Sequence, residues 1–244
     1  MIRLFIKKNN IHSNKLILSK EEFHHFNALR IKPKEKIELL VINKKILLIQ
    51  VEKLTKTELF FTKISESPLP PPLYPQITLA QCLPKQDKFT EILKKCTELG
   101  VASFIPVLSS RVITKIDQKS TEKIHRWQKI ILQASSQSKR AQLPTLENPL
   151  TFKDFLPYSQ NKKFDLKIVF WEEASLQTSL KSILSTTKIT NNIMALIGPE
   201  GGLSSEEIAA LTQNGFITAS LGPTILRTEN AGFLACGLIQ HLHP

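Results

Sequence analysis

The sequence contains few cysteines and no long apolar segment free of charge. Cys82, Cys96 and Cys236 are its only cysteines; they form no CxxC pair and have no histidine at zinc-finger spacing. These absences argue against a disulfide framework and against a structural zinc site. No uncharged apolar run reaches the roughly 18 residues that a membrane span needs, and charged residues follow Met1 too closely for a signal-peptide core. The sequence therefore predicts a cytoplasmic protein with no membrane segment.

Histidine pairs are the remaining candidates for metal ligands. His24 and His25 are adjacent, so their side chains point in different directions on a helix. The pair formed by His241 and His243 has no third ligand nearby. We therefore expect ordinary surface histidines and no metal site.

Positive charge is the strongest compositional feature, and it is unevenly distributed. The 244 residues carry 33 lysines and arginines against 21 aspartates and glutamates. Residues 1–72 have 14 basic and 7 acidic side chains, residues 73–165 have 15 and 8, and residues 166–244 have only 4 and 6. Clustered positive charge favours a nucleic-acid partner, because the phosphates of that partner are polyanionic. A lysine-rich solvated surface is the alternative.

A proline-rich segment divides the sequence into two parts. Residues 67–75 read SPLPPPLYP and hold five of the 14 prolines, which is typical of a stiff extended linker. Before it, one helical stretch spans residues 21–30, and a turn is expected at Asn43-Lys44-Lys45. Short β-prone runs lie at 4–6, 37–42, 46–51 and 59–64. This pattern predicts a small β-barrel or sheet with one helix.

After the linker, strands alternate with amphipathic helices, which predicts an α/β domain with a largely parallel sheet. Apolar residues at helical spacing predict helices over 85–99, capped by Gly100, and around 124–134. We expect strands at 77–81, 103–108, 167–171, 193–197 and 217–221. Open sheets of this class bind ligands at the carboxyl ends of their strands.

The loop at residues 198–202 reads GPEGG and follows one of these strands. Ser204 and Glu207 have capping-box spacing for the helix that comes next. Glycines allow the backbone to approach a ligand closely. Neither a Walker loop nor a GxGxxG fingerprint is present, so a phosphate-binding NTPase is disfavoured. A tight strand-to-helix turn without a ligand is the alternative.

A second loop, residues 221–230 (LGPTILRTEN), carries charged groups into the terminal helix. Arg227 enters a helix N-terminus against the helix dipole, which indicates that it is held there for a purpose. A pairing of Arg227 with Glu229 that only stiffens the loop is the alternative. Residues 170–174 (FWEEA) form a third loop, although an aromatic pair at a strand end is more often core.

Five segments, in chain order, carry a resemblance to a known family. They are LAQCLPKQDKFTEILKKCTELGV, FIPVLSSRVI, RWQKIILQASSQSKR, IGPEGGLSSEEI and LGPTILRTENAG. These segments resemble the RsmE family of ribosomal RNA methyltransferases, which belongs to the SPOUT superfamily of knotted enzymes. The match runs from about residue 79 to the C-terminus, with a weaker similarity at the N-terminus.

The resemblance implies both an architecture and an activity. It implies a PUA-like RNA-binding β-barrel domain at residues 1–72, followed at residues 73–244 by a SPOUT methyltransferase domain with a C-terminal trefoil knot. In the family the knotted loops bind S-adenosylmethionine, and the molecule is a homodimer through this domain. The product is N3-methyluridine in 16S ribosomal RNA, near the decoding site of the small subunit. The terminal helix would then pack against the partner subunit, although an ordinary core helix is compatible with the same apolar stripe.

Site residues follow from these motifs and from the charged groups at the loops. We assign Arg227 as the electrostatic stabiliser of negative charge on the uridine, with Glu229 or Glu200 as base or orienter. The resemblance implies a cofactor pocket lined by Phe170, Trp171, Glu172, Leu196, Ile197, Gly198, Pro199, Glu200, Gly201, Leu221, Gly222, Ile225 and Leu226. RNA contacts are expected from Arg3, Arg30, Lys85, Arg111, Lys139 and Arg140, the last two lying in the matched QSKR motif.

Two positions depart from the family's pattern, and two other functions fit the same scaffold. Thr224 stands where the family usually has arginine, and Asn230 stands where it usually has threonine. Both positions bear on contact with RNA or on hydrogen bonding within the loop. The alternative functions are a non-catalytic RNA-binding ribosome-assembly factor, and a methyltransferase of the same superfamily that acts on another RNA. An assembly factor has no need to bind S-adenosylmethionine, so binding of this cofactor discriminates between them.

Overall fold

The chain forms two compact units. The computed structural model describes residues 2–6, 8–42, 44–112, 120–175, 179–187 and 191–242. The first unit comprises Met1–Pro71 with Ser135–Leu143, and the second comprises Pro72–Ala134 with Pro144–Pro244. The short segment Ser135–Leu143 therefore belongs to the first unit, whereas the sequence pattern placed it in the second domain.

A six-stranded mixed sheet and one helix make up most of the first unit. Its strands follow the order β1-β4-β5-β6-β3-β2, in which β1 pairs with β4 in parallel and the other neighbours are antiparallel. The elements are β1 (Ile2–Ile6), β2 (Ile11–His12), β3 (Lys15–Ile17), α1 (Lys20–Ala28), β4 (Lys36–Val41), β5 (Lys45–Leu54) and β6 (Glu58–Pro68). Alternate residues of the strands, among them Leu16, Ile37, Leu39, Ile49 and Leu59, fill the core.

The predicted strands and helix of the first unit are confirmed, with two differences. The short strands β2 and β3 carry too little pattern to be predicted, because pairing with their neighbours defines them. The proline-rich segment also begins later than predicted, since Ser67 and Pro68 pair with Ile46 and Lys45 of β5. β3 pairs only with the first residues of β6, so the C-terminal end of β6 has β5 as its one neighbour in the sheet. Pro68, which has no N–H to donate, is tolerated at this edge position. The antiparallel pairing of β4 with β5 agrees with a turn around Lys44; Asn43 lies outside the described residues.

A seven-stranded sheet forms the centre of the second unit, and all of its pairings are parallel. Its strands follow the order β10-β8-β7-β12-β11-β13, with β9 also pairing with β8. The strands are β7 (Gln76–Cys82), β8 (Ser103–Leu108), β9 (Thr145–Leu146), β10 (Leu150–Thr151), β11 (Leu166–Phe170), β12 (Asn192–Ile197) and β13 (Ile217–Ala219). The helices are α2 (Lys88–Leu99), α3 (Ser120–Gln137), α4 (Phe152–Asn161), α5 (Leu180–Thr186), α6 (Ser205–Gln213) and α7 (Thr228–Leu242). The parallel α/β class predicted from the sequence is therefore confirmed.

Local sequence signals explain where the helices of this unit begin and end. Gly100 ends α2 in the left-handed conformation, with φ of 104°, and its N–H donates to the carbonyls of Cys96 and Thr97. Ser204 and Glu207 form the predicted capping box at the start of α6. The short helices and strands α4, α5, β9 and β10 were not predicted.

Among the described residues, no helix combines the length and the apolarity that a transmembrane helix needs.

The chain crosses the sheet once more after its last strand. β13 lies at the outer edge, next to β11, whereas α7 packs against α2, β7 and β12. The segment between β13 and α7 therefore passes back over the carboxyl ends of β11 and β12. This return brings residues 220–228 beside the loops that follow those two strands.

Candidate functional site

A cavity of about 390 Å³ lies where β11 and β12 end and where the chain leaves β13. Because the strands are parallel, three loops that are distant in the sequence meet on this side of the sheet. The cavity is lined by Lys88, Phe170, Trp171, Glu172, Ile197, Gly198, Pro199, Glu200, Gly202, Ser220, Leu221, Gly222, Pro223, Thr224, Ile225, Leu226, Arg227, Thr228 and Ala231. The lining combines apolar side chains with four charged ones on the loops and α2, namely Lys88, Glu172, Glu200 and Arg227.

A buried hydrogen-bond chain fixes the glycine-rich loop to the start of α7. The Thr228 hydroxyl donates to the Gly198 carbonyl at 2.6 Å, and the Gln81 amide nitrogen donates to the Thr228 hydroxyl at 2.9 Å. The same nitrogen donates to the carbonyl of Cys82 at 3.0 Å. Gln81 is fully buried at the end of β7. These hydrogen bonds thus join the end of β7, the glycine-rich loop and the start of α7.

Two features of the structure favour glycine at position 202. Its φ is +68°, which side chains other than glycine rarely adopt. A Cβ at this position would also overlap the carboxylate of Glu172, which lies directly against the Gly202 backbone. The loops after β11 and β12 therefore meet at Gly202 through the Glu172 side chain, which would have to shift to make room for a Cβ.

Two charged side chains hold the loop after β8 against the glycine-rich loop. Nη1 of Arg111 donates to the Gly201 carbonyl at 2.7 Å. The buried carboxylate of Glu207 accepts the N–H of Ser110 at 2.8 Å and the N–H of Ser204 at 3.0 Å. Arg111, predicted as an RNA contact, is exposed. One nitrogen of its guanidinium is engaged in the bond to this loop.

A cluster of three charged residues lies at the side of the cavity. Lys88, the first residue of α2, places its Nζ 3.2 Å from Oε1 of Glu200 and 3.6 Å from Oε2 of Glu229. Glu229 lies in the first turn of α7, and only 7% of its surface is exposed. The Lys85 N–H also donates to both oxygens of Glu200, at 3.1 and 3.2 Å. Both carboxylates were predicted from the sequence, but the lysine that joins them was not.

The pKa of the Glu200 carboxyl is lowered from its ordinary value. Partial burial raises this pKa, but hydrogen bonds from its own N–H, from Lys88 and from the Lys85 N–H outweigh the burial and lower it overall. A carboxylate with a lowered pKa is a weak proton acceptor. This environment favours an orienting role for Glu200 over a role as base.

Arg227 lines the cavity and is exposed. Its carbonyl accepts the N–H groups of Asn230 and Ala231, both at 2.9 Å, at the start of α7. Among the described residues, no carboxylate pairs with its guanidinium, since Glu229 pairs with Lys88 instead. The stiffening pair between Arg227 and Glu229 is thus not formed.

Comparison with known proteins places the chain in a family. A family model described as an RNA methyltransferase domain matches residues 71–240. The protein named ribosomal RNA small subunit methyltransferase E from Bacillus subtilis is 36% identical over 170 residues, which are 68% of this chain and 66% of that protein. Its namesake from Buchnera aphidicola is 31% identical over 98% of this chain and 94% of its own length. The chain belongs to the ribosomal RNA small subunit methyltransferase E family.

Solved structures agree with this family assignment. A Legionella pneumophila methyltransferase, determined with the bound cofactor SAM, superposes with a TM-score of 0.86 at 30% identity and covers 98% of this chain and 96% of its own. A methyltransferase E from Neisseria gonorrhoeae, bound to S-adenosyl methionine, has a TM-score of 0.84 at 27% identity and covers 99% and 98%. The matched region spans 66% of the length of the Bacillus subtilis protein and 55% of the length of the Synechocystis protein.

Most residues that the methyltransferase E resemblance assigns to the cofactor pocket meet at the cavity. All of them line it except Leu196 and Gly201. Leu196 is fully buried in the core around Met194 and Leu211, on the opposite side of β12 from the cavity. Gly201 is exposed, and its carbonyl accepts from Arg111.

Several lining residues were not predicted from the sequence. They are Lys88, Gly202, Ser220, Pro223, Thr224, Thr228 and Ala231. Four of them lie within the two loops already singled out, and Ser220 and Ala231 lie one residue outside the second loop. Lys88 was harder to predict, because it lies on α2, far in the sequence from the loops that it meets at the cavity.

Four predicted RNA contacts of this methyltransferase E family member lie in the first unit, and two of them, Arg3 and Arg140, have structural partners. Arg3 pairs with Glu38 at 2.6 Å and donates through Nη1 to the Lys139 carbonyl at 2.6 Å. Burial lowers the pKa of Arg140 to about 10, and its Nε donates to the Gln142 carbonyl. Lys139 is exposed, with φ of 57° at the turn that ends α3. Lys139 is therefore the member of the QSKR motif whose charge faces solvent.

The remaining predicted RNA contacts, Arg30, Lys85 and Arg111, are exposed side chains. Lys85 and Arg111 flank the glycine-rich loop, so both lie near the cavity.

Within the described part of the chain, no group of three or more histidines, cysteines, aspartates and glutamates is arranged to hold a metal ion.

Proposed function

We propose that this chain is an S-adenosylmethionine-dependent methyltransferase that modifies N3 of a uridine in 16S ribosomal RNA, near the decoding site of the small subunit. The observation that carries the proposal is the cavity at the carboxyl ends of β11 and β12, bounded by the loops of the matched motifs. Membership of the methyltransferase E family and similarity to proteins solved with this cofactor support it.

The cavity fits the chemistry of S-adenosylmethionine. Its volume of about 390 Å³ lies in the range of small-molecule sites, about 300–1,000 Å³. Leu221, Ile225 and Leu226 offer an apolar wall suited to adenine, and the glycine-rich loop offers backbone groups for hydrogen bonds. Glu172 supplies a carboxylate on the same cavity, which suits the positive charges of the ligand. When bound, S-adenosylmethionine supplies an electrophilic methyl group.

The residues of the chain have two tasks at the uridine. N3 of neutral uridine carries a proton that has to leave, and negative charge then spreads onto O2 and O4. The unpaired Arg227 guanidinium stabilises that charge from the cavity edge. The candidate bases are Glu229 and Glu200; the lowered pKa of Glu200 favours it as an orienter of the loop.

Replacement of Gly202 by alanine is expected to weaken binding of S-adenosylmethionine by about tenfold. The new Cβ displaces the Glu172 carboxylate, and the positive φ adds a strain of about 1 kcal/mol. Isothermal titration calorimetry measures the change. Gly215→Ala is the matched control, because Gly215 also has a positive φ, of 81°, but lies at the end of α6 and outside the cavity lining. Equal affinity of Gly202→Ala and wild type would contradict the prediction.

The finer architecture is also part of the proposal. We propose that the six-stranded sheet closes into a PUA-like barrel and that residues 1–72 and 73–244 act as an RNA-binding and a SPOUT methyltransferase domain. The return of the chain from β13 across β12 to α7 supports a trefoil knot in the second domain. The buried bonds from Gln81 through Thr228 to Gly198 lie at that crossing.

Contacts with ribosomal RNA are proposed for the exposed basic side chains Arg30, Lys85, Arg111 and Lys139. Positive charge is concentrated in residues 1–165, whereas the last third carries a small acidic excess. This split suits an RNA-facing part and a separate cofactor part. Arg3 and Arg140 contribute mainly by holding the segment that presents Lys139.

Homodimerisation through α7 is proposed from an exposed apolar stripe. Leu234, Leu238 and Leu242 recur every four residues, and Leu234 and Leu242 are 36% and 42% exposed. Such a stripe buries its surface when a second copy packs against it. Leu234→Asp is expected to convert the dimer to a monomer in sedimentation velocity. Ile64→Asp, at an exposed apolar position of β6, is the control. A wild-type monomer, or a Leu234→Asp dimer, would contradict dimerisation through α7.

Transfer of a labelled methyl group tests the proposed function. The protein is incubated with tritiated S-adenosylmethionine and small ribosomal subunits, large subunits or transfer RNA. We expect label only in RNA of the small subunit. Label in another RNA would favour the alternative of a methyltransferase of the same superfamily that acts on that RNA. Absence of cofactor binding would favour the RNA-binding assembly factor.

A further inference from the structure

Lys88 occupies a position that the proposed chemistry does not explain. Its ammonium joins two carboxylates from different loops, Glu200 at 3.2 Å and Glu229 at 3.6 Å, and its side chain lines the cavity. Glu200 belongs to the loop after β12, and Glu229 belongs to the first turn of α7, two residues after Arg227. One side chain on α2 therefore connects two of the loops that line the cavity.

The surroundings of Lys88 are unfavourable for a cation without such partners. It lies in the first turn of α2, where the helix dipole repels positive charge. Glu229 in turn is buried, and its Oε2 has no hydrogen-bond partner in the described part of the chain. Lys88 is the cation that balances this buried carboxylate, so each group makes the position of the other tolerable.

We propose that Lys88 is a positioning residue that sets the spacing of the two loops for cofactor binding. This inference rests on the proposed function. Through Glu200 it fixes the glycine-rich loop, and through Glu229 it fixes the helix start that presents Arg227. Without Lys88 the two loops keep the hydrogen bond between Thr228 and Gly198, and Glu200 keeps its bonds from the Lys85 N–H. We expect the charged parts of the loops then to sample several separations, so that only a fraction of molecules has the binding arrangement and the apparent dissociation constant rises by the inverse of that fraction.

Calorimetric titration with S-adenosylmethionine on the full chain tests the proposal. We expect Lys88→Met to bind about tenfold or more weakly than wild type, and Lys88→Arg to recover most of the affinity. Lys94→Met is the matched control, because Lys94 is exposed on the same helix and lies outside the cavity lining. Wild-type affinity in Lys88→Met would overturn the proposal.

A double variant separates positioning from simple charge balance. Lys88→Met leaves a buried, uncompensated carboxylate, so its melting temperature should fall; adding Glu229→Gln removes that charge and should recover most of the loss. The link through Lys88 remains broken, so cofactor affinity should stay low in the double variant although the Thr228 hydroxyl still donates to the Gly198 carbonyl. Recovery of affinity together with stability would overturn the proposal and leave Lys88 as a counter-ion only. If wild type itself does not bind S-adenosylmethionine, the proposed function fails and this inference fails with it.

Discussion

Replacement of Arg227 by alanine is expected to lower the rate of methyl transfer by about 10²–10³ and to leave cofactor affinity nearly unchanged. A single preorganised donor aimed at developing negative charge contributes a factor of this size. Arg227 meets the conditions for such a donor, because it lines the cavity and no carboxylate in the described part of the chain neutralises it. Single-turnover kinetics with saturating cofactor measure the chemical step, and calorimetry measures binding.

Two further variants sharpen the Arg227 experiment. Arg227→Lys keeps the charge but loses the planar fork, so we expect partial recovery of the rate. Arg126→Ala is the matched control, because Arg126 is an exposed arginine that pairs with Asp87 and lies outside the cavity lining. A wild-type rate in Arg227→Ala would show that charge on the uridine is stabilised by another group.

Replacement of Thr228 by valine is expected to destabilise the protein by about 2 kcal/mol and to weaken cofactor binding. Valine keeps the shape of threonine but cannot donate to Gly198 or accept from Gln81. Both partners are then left without that bond, and a buried polar group without its partner costs about 1–3 kcal/mol. The glycine-rich loop also loses its direct hydrogen bond to α7. Urea unfolding gives the loss of stability.

Thr228→Ser provides the control for this experiment. Serine retains the hydroxyl and both hydrogen bonds, so it should stay within about 1 kcal/mol of wild type and bind the cofactor normally. If valine and serine behave alike, the hydroxyl does not join the loop to the helix, and the close packing around Gly232 holds the crossing instead.

Much of the site could be predicted because its signals are local. The strands β11 and β12 are short apolar runs, and parallel strands place their following loops on one side of a sheet. Glycines and a capping box identify residues 198–207 as a tight strand-to-helix connection, and the structure confirms this at Ser204 and Glu207. Leu196 fell outside the cavity because alternation along a strand points its side chain to the other face.

Long-range contacts account for what the sequence did not reveal. Lys88 begins a helix, and nothing near it in the sequence indicates that its partners lie in two later loops. The same helix-dipole argument that singled out Arg227 applies to Lys88, so this signal was present. The roles of Arg3 and Arg140 were hidden as well, since their carbonyl partners, Lys139 and Gln142, are ordinary backbone groups.

Short elements were missed for a related reason. The strands β2, β9 and β10 have two residues each, which is too few to show alternation. Their neighbours in the sheet define them. Pro157 also lies inside α4, and a proline within a helix weakens the helical pattern in the sequence.

Nucleoside mass analysis of ribosomal RNA tests the central proposal most directly. Small subunits that lack the modification are incubated with the protein and S-adenosylmethionine, and their 16S RNA is digested to nucleosides and to mapped fragments. We predict N3-methyluridine at one site, and no product when Arg227→Ala replaces the wild type over the same interval. Absence of any methylated nucleoside, with the cofactor nevertheless bound, would contradict the assignment of 16S ribosomal RNA as the substrate.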